Sequence, residues 1–576
     1  MGKGRRIMEK EPKRRLKEER GRKSKSVKIT IITIIALFVI FTIAMILNNF
    51  IILDNNKTTN LIINNTNVTA NLKNDILIEN DIIYLSESDI ANFFDKHIYY
   101  DEDTNKIITT YDEKIAEIGF DDNNININGN NKQISASAIN KDDEVYLPIS
   151  EMQDVYDVEI QNIPETKVIT IDSLDREQKR AKVNKNVSVK SSSNFIARTV
   201  DRLNKGDAVI VVSSKDGYSR IRTGNGKLGI VKTNVLENET VVREEKQEEK
   251  QIEGKVNLVW DYYSEYVTAP NRSGTTIDGV NVVSPAFFYI DEEGDLEENI
   301  GVEGQNYINW AHSNGYKVWP MVANAYAARE SLDITSNIMN SYENRKELIE
   351  DIVEKCTEYN LDGINLDFEN MYAEDKDMYS RFIIELTPRL KEKGKVLSVD
   401  VTAPDGGETW SMCFDRHTIG DVADYIIFMA YDQNGTSSTK PGTTAGYDWV
   451  KLNLVKFLQT EEIEPEKLIL AVPLYTRVWT TDSSGELVGT PTTIAMKDID
   501  SNIPEGVEKT WNDELKQNYV EYANGQNKRQ IWIEDIDSLK AKISLITENN
   551  LAGVAAWEKD METQDVWQMF KEELNK

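Results

Sequence analysis

The sequence contains few of the residues that hold disulfide-rich or metal-bound proteins together. Its 576 residues include two cysteines, Cys356 and Cys413, and three histidines, His97, His312 and His417. Two cysteines cannot form a disulfide framework, so the fold must depend on its hydrophobic cores. The histidines are scattered and no HExxH or paired CxxC pattern occurs, so we predict neither a metal site nor a cofactor.

Basic residues are also scarce relative to acidic ones. Lys and Arg together number 67, whereas Asp and Glu number 97, which gives a formal net charge of −30. Because binding to phosphate groups needs clustered basic residues, a nucleic-acid partner is not expected. The chain is also longer than a single hydrophobic core usually spans, so several domains are predicted.

The N-terminus differs from the rest of the chain in charge and in hydropathy. Residues 1–28 are strongly basic, and residues 29–53 carry no charge and are mostly apolar. About 20 such residues span a bilayer as a helix, and no small-x-small cleavage site of a secretory signal follows them. We therefore predict an uncleaved transmembrane anchor at residues 29–53. Residues 1–28 are then expected in the cytoplasm as a basic tail, with the remaining chain outside the cell membrane.

Two small modules are predicted after the apolar segment. Residues 72–172 contain an internal repeat in which a strand, a short helix and a hairpin occur twice, which predicts a small α+β domain. The repeat resembles the N-terminal domain of copper amine oxidases, but one histidine gives no copper site. Residues 182–240 alternate short β-rich runs with turns, which predicts a small β-barrel and resembles the bacterial Src-homology-3-type domain. Residues 241–254 are rich in Glu and Lys and predict a charged linker.

From residue 255 to residue 576 the sequence alternates between apolar β-like runs and segments of helical periodicity. This alternation is typical of a (β/α)₈ TIM barrel. A long interval, residues 479–549, predicts a small α/β insertion between strands seven and eight. The eight predicted strands are residues 256–260, 280–288, 316–322, 361–369, 396–401, 425–431, 468–474 and 553–557.

The fourth predicted strand carries acidic residues at alternate positions. Because side chains alternate along a strand, Asn365, Asp367 and Glu369 share one face, and the apolar Leu366 and Phe368 lie on the other. Two neighbouring buried carboxylates repel each other and lose hydration, so one of them should stay protonated. A protonated carboxyl group near neutral pH is what a general acid requires. The alternative is that these acidic side chains are only solvated at a strand end or cap the next helix.

Residues 362–369, DGINLDFE, resemble the active-site signature of the family 18 glycoside hydrolases. The ends of the other predicted strands agree with this family: Met429, Tyr431 and Asp432 follow its Met-x-Tyr-Asp motif, and Tyr475 and Trp557 match its rim tyrosine and pocket-floor tryptophan. The resemblance implies that Glu369 is the acid, that Asp367 and Tyr431 assist catalysis, and that the remaining residues bind substrate, namely Asn365, Met429, Asp432, Tyr475 and Trp557.

The resemblance also implies a mechanism. In family 18 the 2-acetamido group of the sugar acts as the nucleophile, so the configuration is retained without a nucleophilic carboxylate. Asn365 stands where many chitinases have an Asp, and because an amide cannot share a proton with Asp367, the pH dependence is left open. The expected substrate is a polysaccharide containing N-acetylglucosamine. Given the predicted anchor we favour peptidoglycan, and the alternatives are a chitinase or a non-catalytic protein that binds cell-wall glycan.

Overall fold

The structure of the protein, a computed structural model, describes residues 30–40, 42–43, 58–194, 196–246, 251–264, 266–324 and 329–576. The described residues form two compact units, one lying within residues 1–89 and 148–248 and the other within residues 90–147 and 249–576. The predicted repeat module at residues 72–172 thus contributes residues to both units. The boundaries predicted from the sequence remain predictions.

The predicted anchor is only partly covered by the structure. Residues 30–40 and 42–43 are helical. Within the described ranges, no helix combines the length and the apolar character needed to cross a membrane. The basic tail at residues 1–28, and residues 29, 41 and 44–53 of the predicted anchor, lie outside the described residues. The anchor therefore remains a prediction.

The first unit is built mainly from two sheets. A four-stranded sheet has the order Val158–Ile163, Val168–Ser173, Asn60–Ile63 and Thr66–Asn67. A second, seven-stranded sheet is antiparallel throughout and surrounds its own apolar core, which includes Val183, Val189 and Ile221. Its strands, in sheet order, are Thr199–Leu203, Val187–Lys190, Leu228–Lys232, Tyr218–Thr223, Ala208–Lys215, Gln178–Val183 and Leu236–Arg243. The resemblance of this segment to a Src-homology-3-type domain stays a prediction.

The second unit contains a barrel that closes on itself. Each of its strands pairs in parallel with the next along the chain, and the eighth pairs in parallel with the first, so no edge is left open. The predicted TIM-type barrel is confirmed. Its strands are β1 (Val256–Asp261), β2 (Val282–Pro285), β3 (Lys317–Val318 and Met321–Ala323), β4 (Gly363–Asp367), β5 (Val396–Val401), β6 (Tyr425–Met429), β7 (Leu468–Pro473) and β8 (Gly553–Trp557).

Helices follow the strands and cover the barrel. They bury apolar stripes against the strands, as the helical periodicity predicts. Local capping fixes where two of them begin: Ser341 accepts a hydrogen bond from the Asn344 N–H, and Asp535 accepts one from the Ser538 N–H. The helices are α1 (Gly301–Ser313), α2 (Arg329–Met339), α3 (Tyr342–Glu358), α4 (Lys376–Glu392), α5 (Arg416–Val422), α6 (Tyr447–Gln459), α7 (Ile536–Glu548) and α8 (Val566–Leu574).

An insertion lies between β7 and β8, where the sequence predicts one. It is a five-stranded antiparallel sheet with a short helix, Ile499–Asn502. The insertion therefore contains both strands and a helix, as predicted, and all of its strand pairs are antiparallel. In sheet order the strands are Thr492–Ala495, Tyr475–Thr481, Asn527–Ile533, Gln517–Asn524 and Thr510–Asn512.

Residues 90–147 belong to the same compact unit as the barrel. They form a five-stranded antiparallel sheet in which each strand pairs with the next along the chain. Short hairpins connect neighbouring strands of this order. The strands are Tyr99–Asp101, Lys106–Tyr111, Lys114–Gly119, Asn124–Ile127 and Asn130–Gln133.

Candidate active site

The acidic residues of the fourth strand meet at the carboxyl end of the barrel. Strand β4 ends at Asp367, so Glu369 lies in the loop just beyond the strand. The predicted strand over residues 361–369, with Glu369 on it, is therefore too long. The side chain of Asn324, at the end of β3, holds this loop by its backbone. The Glu369 N–H donates to Asn324 Oδ1 at 2.8 Å, and Asn324 Nδ2 donates to the Glu369 carbonyl at 2.8 Å. Glu369 is thereby positioned although its strand has ended.

Asn365 is completely buried at the centre of a hydrogen-bond network inside the barrel. Its Oδ1 accepts from Trp260 Nε1 of β1 at 2.7 Å and from Ser284 Oγ of β2 at 3.3 Å. Its Nδ2 donates to Ser398 Oγ at 3.1 Å and to Asp400 Oδ1 at 2.8 Å, both on β5. An amide has two donor and two acceptor positions, so Asn365 is fully satisfied. The predicted substrate-binding residue is thus a structural bridge across the barrel.

Asp367 and Glu369 lie in surroundings that disfavour their charged forms. Burial raises the pKa of Asp367 to about 7. The pKa of Glu369 is raised well above its ordinary value, first by burial and then by the charges of Asp367 and Asp432. Asp367 Oδ1 is buried and has no hydrogen-bond partner among the described residues. A protonated carboxyl group at neutral pH is the state that a general acid needs.

Asp400 lies close enough to Asp367 and Glu369 to interact with their charges, and the three form a carboxyl cluster. Asp400 was not predicted from the sequence. It lies on β5, it is buried, and its Oδ2 lacks a hydrogen-bond partner within the described ranges. Burial and then the charge of Asp367 raise its pKa well above the ordinary value. A signal for it exists in the sequence, because Ser398 and Asp400 are alternate polar residues in the otherwise apolar strand Val396–Val401.

The end of β6 contributes three of the predicted residues. Met429 is buried as the last residue of the strand, and Tyr431 is half-buried two residues beyond it. Asp432 is more exposed, and its Oδ1 accepts hydrogen bonds from the Tyr475 hydroxyl at 2.7 Å and from Arg477 Nη2 at 2.6 Å. The rings of Tyr431 and Tyr475 meet edge to face, with centroids 6.3 Å apart. These contacts bring together three of the predicted residues, Tyr431, Asp432 and Tyr475, and add Arg477, which was not predicted.

Aromatic rings border the carboxyl cluster at the end of β8. The ring of Trp557 lies 5.8 Å from that of Trp260 and 5.6 Å from that of Tyr262, measured between centroids. Trp260 also donates to Asn365, so the aromatic group is connected to the interior network. A half-buried indole beside carboxyl groups is a surface on which a sugar ring can stack.

The arrangement is suited to acid-base chemistry on a neutral substrate. Three carboxyl groups, those of Asp367, Glu369 and Asp400, lie at the ends of adjacent strands, in the place where TIM-barrel enzymes have their active sites. In the part of the chain that the structure describes, no group of three or more His, Cys, Asp or Glu side chains could hold a metal ion. The groups that this site offers for chemistry are its carboxyl groups and aromatic rings.

Two family sequence patterns match the chain. The copper amine oxidase N-terminal domain matches residues 62–171, and the second pattern is described below.

Two relatives are similar to this chain in sequence. The uncharacterized glycosylase YvbX of Bacillus subtilis (strain 168) is 24% identical over 299 residues, which cover 51% of this chain and 84% of that protein. The cortical fragment-lytic enzyme of the same strain is 24% identical over 293 residues, which cover 46% of this chain and 66% of that protein.

Among solved structures, a chitinase from Chromobacterium violaceum ATCC 12472 aligns with 56% of this chain and 100% of its own, at 21% identity and a TM-score of 0.48. The second family pattern is that of the glycosyl hydrolases family 18, and it matches residues 258–562. These residues are more than half of the chain and contain β4 and every predicted site residue. The protein therefore belongs to the glycosyl hydrolases family 18 and is a glycosidase.

Proposed function

We propose that this protein is a membrane-anchored, extracytoplasmic enzyme that cleaves β-linked glycans containing N-acetylglucosamine, with peptidoglycan as its substrate, by a retaining, substrate-assisted mechanism. The observation that carries the proposal is the pair of carboxyl groups of Asp367 and Glu369 at the end of β4. Both have a raised pKa, and Glu369 lies just beyond the strand, where it is half-buried. The rest of the site provides positions for a sugar ring.

The first step is proton donation by Glu369 to the oxygen of the leaving sugar. The carbonyl oxygen of the substrate's 2-acetamido group attacks the anomeric carbon as the bond to the leaving oxygen breaks, and a cyclic oxazolinium ion forms. Asp367 accepts a hydrogen bond from the acetamido N–H and stabilises the positive charge. Glu369, now ionised, removes a proton from water, which opens the ring with overall retention.

The structure favours this mechanism over one with a nucleophilic carboxylate. A double-displacement enzyme needs an ionised carboxylate about 5 Å from the acid and across the scissile bond. Asp367 lies two residues before Glu369, at the end of the strand that leads to it. Asp400 is buried in the neighbouring strand β5. Asp432 is engaged by Tyr475 and Arg477. The acetamido oxygen of the substrate is therefore the proposed nucleophile.

The remaining residues bind and orient the sugar. The Tyr431 hydroxyl is proposed to hold the acetamido oxygen in line with the anomeric carbon, while Trp557 stacks beneath the ring. Asp432, held by Tyr475, is placed to accept hydrogen bonds from sugar hydroxyl groups. Met429 provides an apolar wall. Orientation of this kind supplies a large part of the rate enhancement in intramolecular reactions.

Two observations support peptidoglycan. One relative is a cortical fragment-lytic enzyme, and the uncharged residues 29–53 would hold the enzyme beside the cell wall. The proposed topology has residues 1–28 in the cytoplasm and the barrel outside. Chitin is the second candidate, since another relative is chitinase A1 of Niallia circulans, which is 26% identical over 249 residues. A wall-binding protein without activity is the third, but it would not require both Asp367 and Glu369.

The proposal is tested by giving the purified full-length protein two matched substrates. We expect hydrolysis of a chromogenic glycoside of di-N-acetylchitobiose and none of the corresponding cellobioside, in which hydroxyl groups replace the acetamido groups. Equal hydrolysis of both would contradict substrate assistance. Purified peptidoglycan and chitin are then digested separately and their fragments analysed by mass. Release from peptidoglycan with N-acetylglucosamine at the new reducing end is expected, and binding without release would favour the wall-binding alternative.

The topology is tested on intact cells that produce the full chain with tags at both ends. Added protease should remove the C-terminal tag and spare the N-terminal one. The full-length protein should sediment with membranes, and replacing three apolar residues of 29–53 by Lys should release it. Recovery of the unmodified chain from the medium at full length would contradict the anchor.

A further inference from the structure

Two aspartates of the adjacent strands β4 and β5 each have a buried carboxyl oxygen without a hydrogen-bond partner among the described residues. In the pairing of β4 with β5, Asn365 lies opposite Ser398 and Leu366 opposite Val399. The next position of this register places Asp367 beside Asp400. Neighbouring strands are about 4.8 Å apart, and side chains in register on parallel strands point to the same side. Asp367 Oδ1 and Asp400 Oδ2 are both buried without a hydrogen-bond partner among the described residues.

The neighbouring amide determines which oxygen of Asp400 is free. Trp260 Nε1 can only donate, so the Asn365 atom that it contacts must be the oxygen. Asn365 Nδ2 therefore faces β5 and donates to Asp400 Oδ1. Asp400 is thus fixed by one oxygen, and its second oxygen remains available to Asp367. A buried polar atom without a partner costs about 1–3 kcal/mol, so two of them at adjacent positions need an explanation.

We infer that Asp400 is a positioning residue that shares one proton with Asp367, while Asn365 fixes the geometry of this carboxyl pair and carries no proton. The inference rests on the proposed function. In the free enzyme the pair holds one proton and one negative charge. When the oxazolinium ion forms, the proton stays on Asp400 and the negative charge on Asp367, and the acetamido proton remains on nitrogen. No proton is gained or lost by the pair in this step.

The electrostatic surroundings agree with one shared proton. Two adjacent buried carboxylates cannot both ionise near neutral pH without a large cost. Asp400 is faced from the neighbouring elements by Asp367 and Glu369 at β4, by Tyr379 of α4 and by Tyr431 after β6. None of these groups is a cation. The Tyr379 hydroxyl is also buried and without a partner in the described part of the chain.

The first test measures stability, which needs no substrate. A carboxyl group whose folded pKa is raised contributes stability at low pH that is lost as pH rises through the folded value, here about 7 for Asp367. Asp400→Asn removes the like charge and supplies a donor to Asp367. We therefore expect the melting temperature of full-length Asp400→Asn to exceed that of wild type at pH 8, by on the order of 2 °C. The difference should be smaller at pH 5 and vanish below the unfolded pKa of about 3.9. A lower melting temperature for Asp400→Asn at every pH would overturn the shared proton.

The second test exchanges the two side chains. With the chitobioside substrate, Asp400→Asn should lower kcat by about 10-fold or more and shift the pH dependence of kcat, because Asp367 loses the group with which it shares a proton. The double variant Asn365→Asp with Asp400→Asn returns a carboxyl group next to Asp367 and should recover part of kcat and of the pH profile. An unchanged pH profile in Asp400→Asn, or no recovery in a folded double variant, would refute the inference. If wild type is itself inactive, the proposed function fails, and the stability measurement still decides on the proton pair.

Discussion

The two ends of strand β4 carry aspartates in opposite situations. Asp362 lies just before the strand at the bottom of the barrel, and it accepts hydrogen bonds from Lys317 Nζ at 2.9 Å and the Val318 N–H at 3.0 Å, with His312 Nε2 at 2.8 Å. Asp367, five residues later, ends the strand at the top and has a buried oxygen without a partner in the described ranges. One carboxylate is stabilised by its neighbours, and the other is not.

The pKa values differ in the same way. Burial alone would raise the pKa of Asp362, but hydrogen bonds from Lys317, Val318 and His312 lower it below the ordinary value. Among the described residues no hydrogen bond lowers the pKa of Asp367, and burial raises it to about 7. In a TIM barrel the bottom of the strands contributes to stability and the top to catalysis. The two aspartates, one before β4 and one at its end, therefore differ in pKa because they differ in hydrogen-bond partners.

Glu385, a buried carboxylate on the outer side of the barrel, is like Asp362 in that several hydrogen-bond donors surround it. Glu385 of α4 accepts from Arg345 Nε at 2.8 Å and Arg345 Nη2 at 3.0 Å, and from the Tyr99 hydroxyl at 3.0 Å. Tyr99 comes from the sheet of residues 90–147, which is part of the same compact unit. A bidentate arginine pair of this kind has strong geometric specificity. Glu385 therefore links two barrel helices to the sheet of residues 90–147 through its hydrogen bonds.

The largest effect is expected at Glu369, the proposed general acid. Glu369→Gln keeps the shape of the side chain but cannot transfer a proton, so kcat should fall by about 10²-fold to 10⁴-fold. Turnover of the chitobioside by the two purified full-length proteins measures this loss. The urea midpoint of unfolding serves as the control and should be similar or higher for the variant. Equal turnover by both proteins would remove Glu369 from the mechanism.

The pH dependence is expected to follow the raised pKa values. Because Glu369 has to donate a proton, the active fraction decreases as pH rises above the pKa that governs the site, and the rate should fall about 10-fold for each further pH unit. Because the pKa of Glu369 is raised well above its ordinary value, its proton should be retained well above pH 4.5, and kcat/KM should be lower at pH 9 than at pH 7. Rates between pH 4 and 9, with circular dichroism at each pH, test this. A rate that still increases between pH 7 and 9 would contradict the assignment of Glu369 as the acid.

The comparison within β4 is tested by the same change at its two ends. Asp362→Asn should destabilise the protein by about 1–3 kcal/mol, because Lys317 loses its charged partner, and should leave kcat within about two-fold. Asp367→Asn should do the reverse, with a large loss of kcat and no loss of stability. The measurements are urea unfolding and chitobioside turnover. Similar effects of the two variants on both quantities would mean that the top of the strand has no special role.

The contribution of Asp362 to stability should depend on pH, which gives a second way to test this comparison. Because its folded pKa is lowered, Asp362 contributes stability that is present above the unfolded pKa of about 3.9 and is lost as pH falls through the folded value. The difference in stability between wild type and Asp362→Asn should therefore shrink below pH 4. The stability gain expected of Asp400→Asn has the opposite dependence, since it grows as pH rises.

The sequence predicts most of the barrel because its strands are continuous apolar runs. The acidic pattern of residues 361–369 also identifies Asp367 and Glu369, since both lie in one short segment. The partners of these residues come from elsewhere: Asn324 from β3, Asp400 from β5 and Arg477 from the insertion. Their positions depend on strand register and on loops that a single sequence does not specify. The same limitation explains why Asn365 was expected to bind substrate and is instead a fully bonded bridge.

The smallest effect is expected at the paired carboxylate on the outside of the barrel. The hydroxyl of Tyr99 donates to Glu385 and accepts from Arg345 Nη2 at 2.9 Å. Tyr99→Phe removes both bonds and leaves the arginine pair intact, so the free energy of unfolding should fall by about 1 kcal/mol. The adjacent Tyr100 is a matched control, because its hydroxyl donates to Asn105 at an exposed site and Tyr100→Phe should cost about 0.5 kcal/mol or less. Urea unfolding of the full-length variants measures both values, and kcat should be unchanged in each. Equal losses of stability would show that Tyr99 is not part of the network that joins residues 90–147 to the barrel helices.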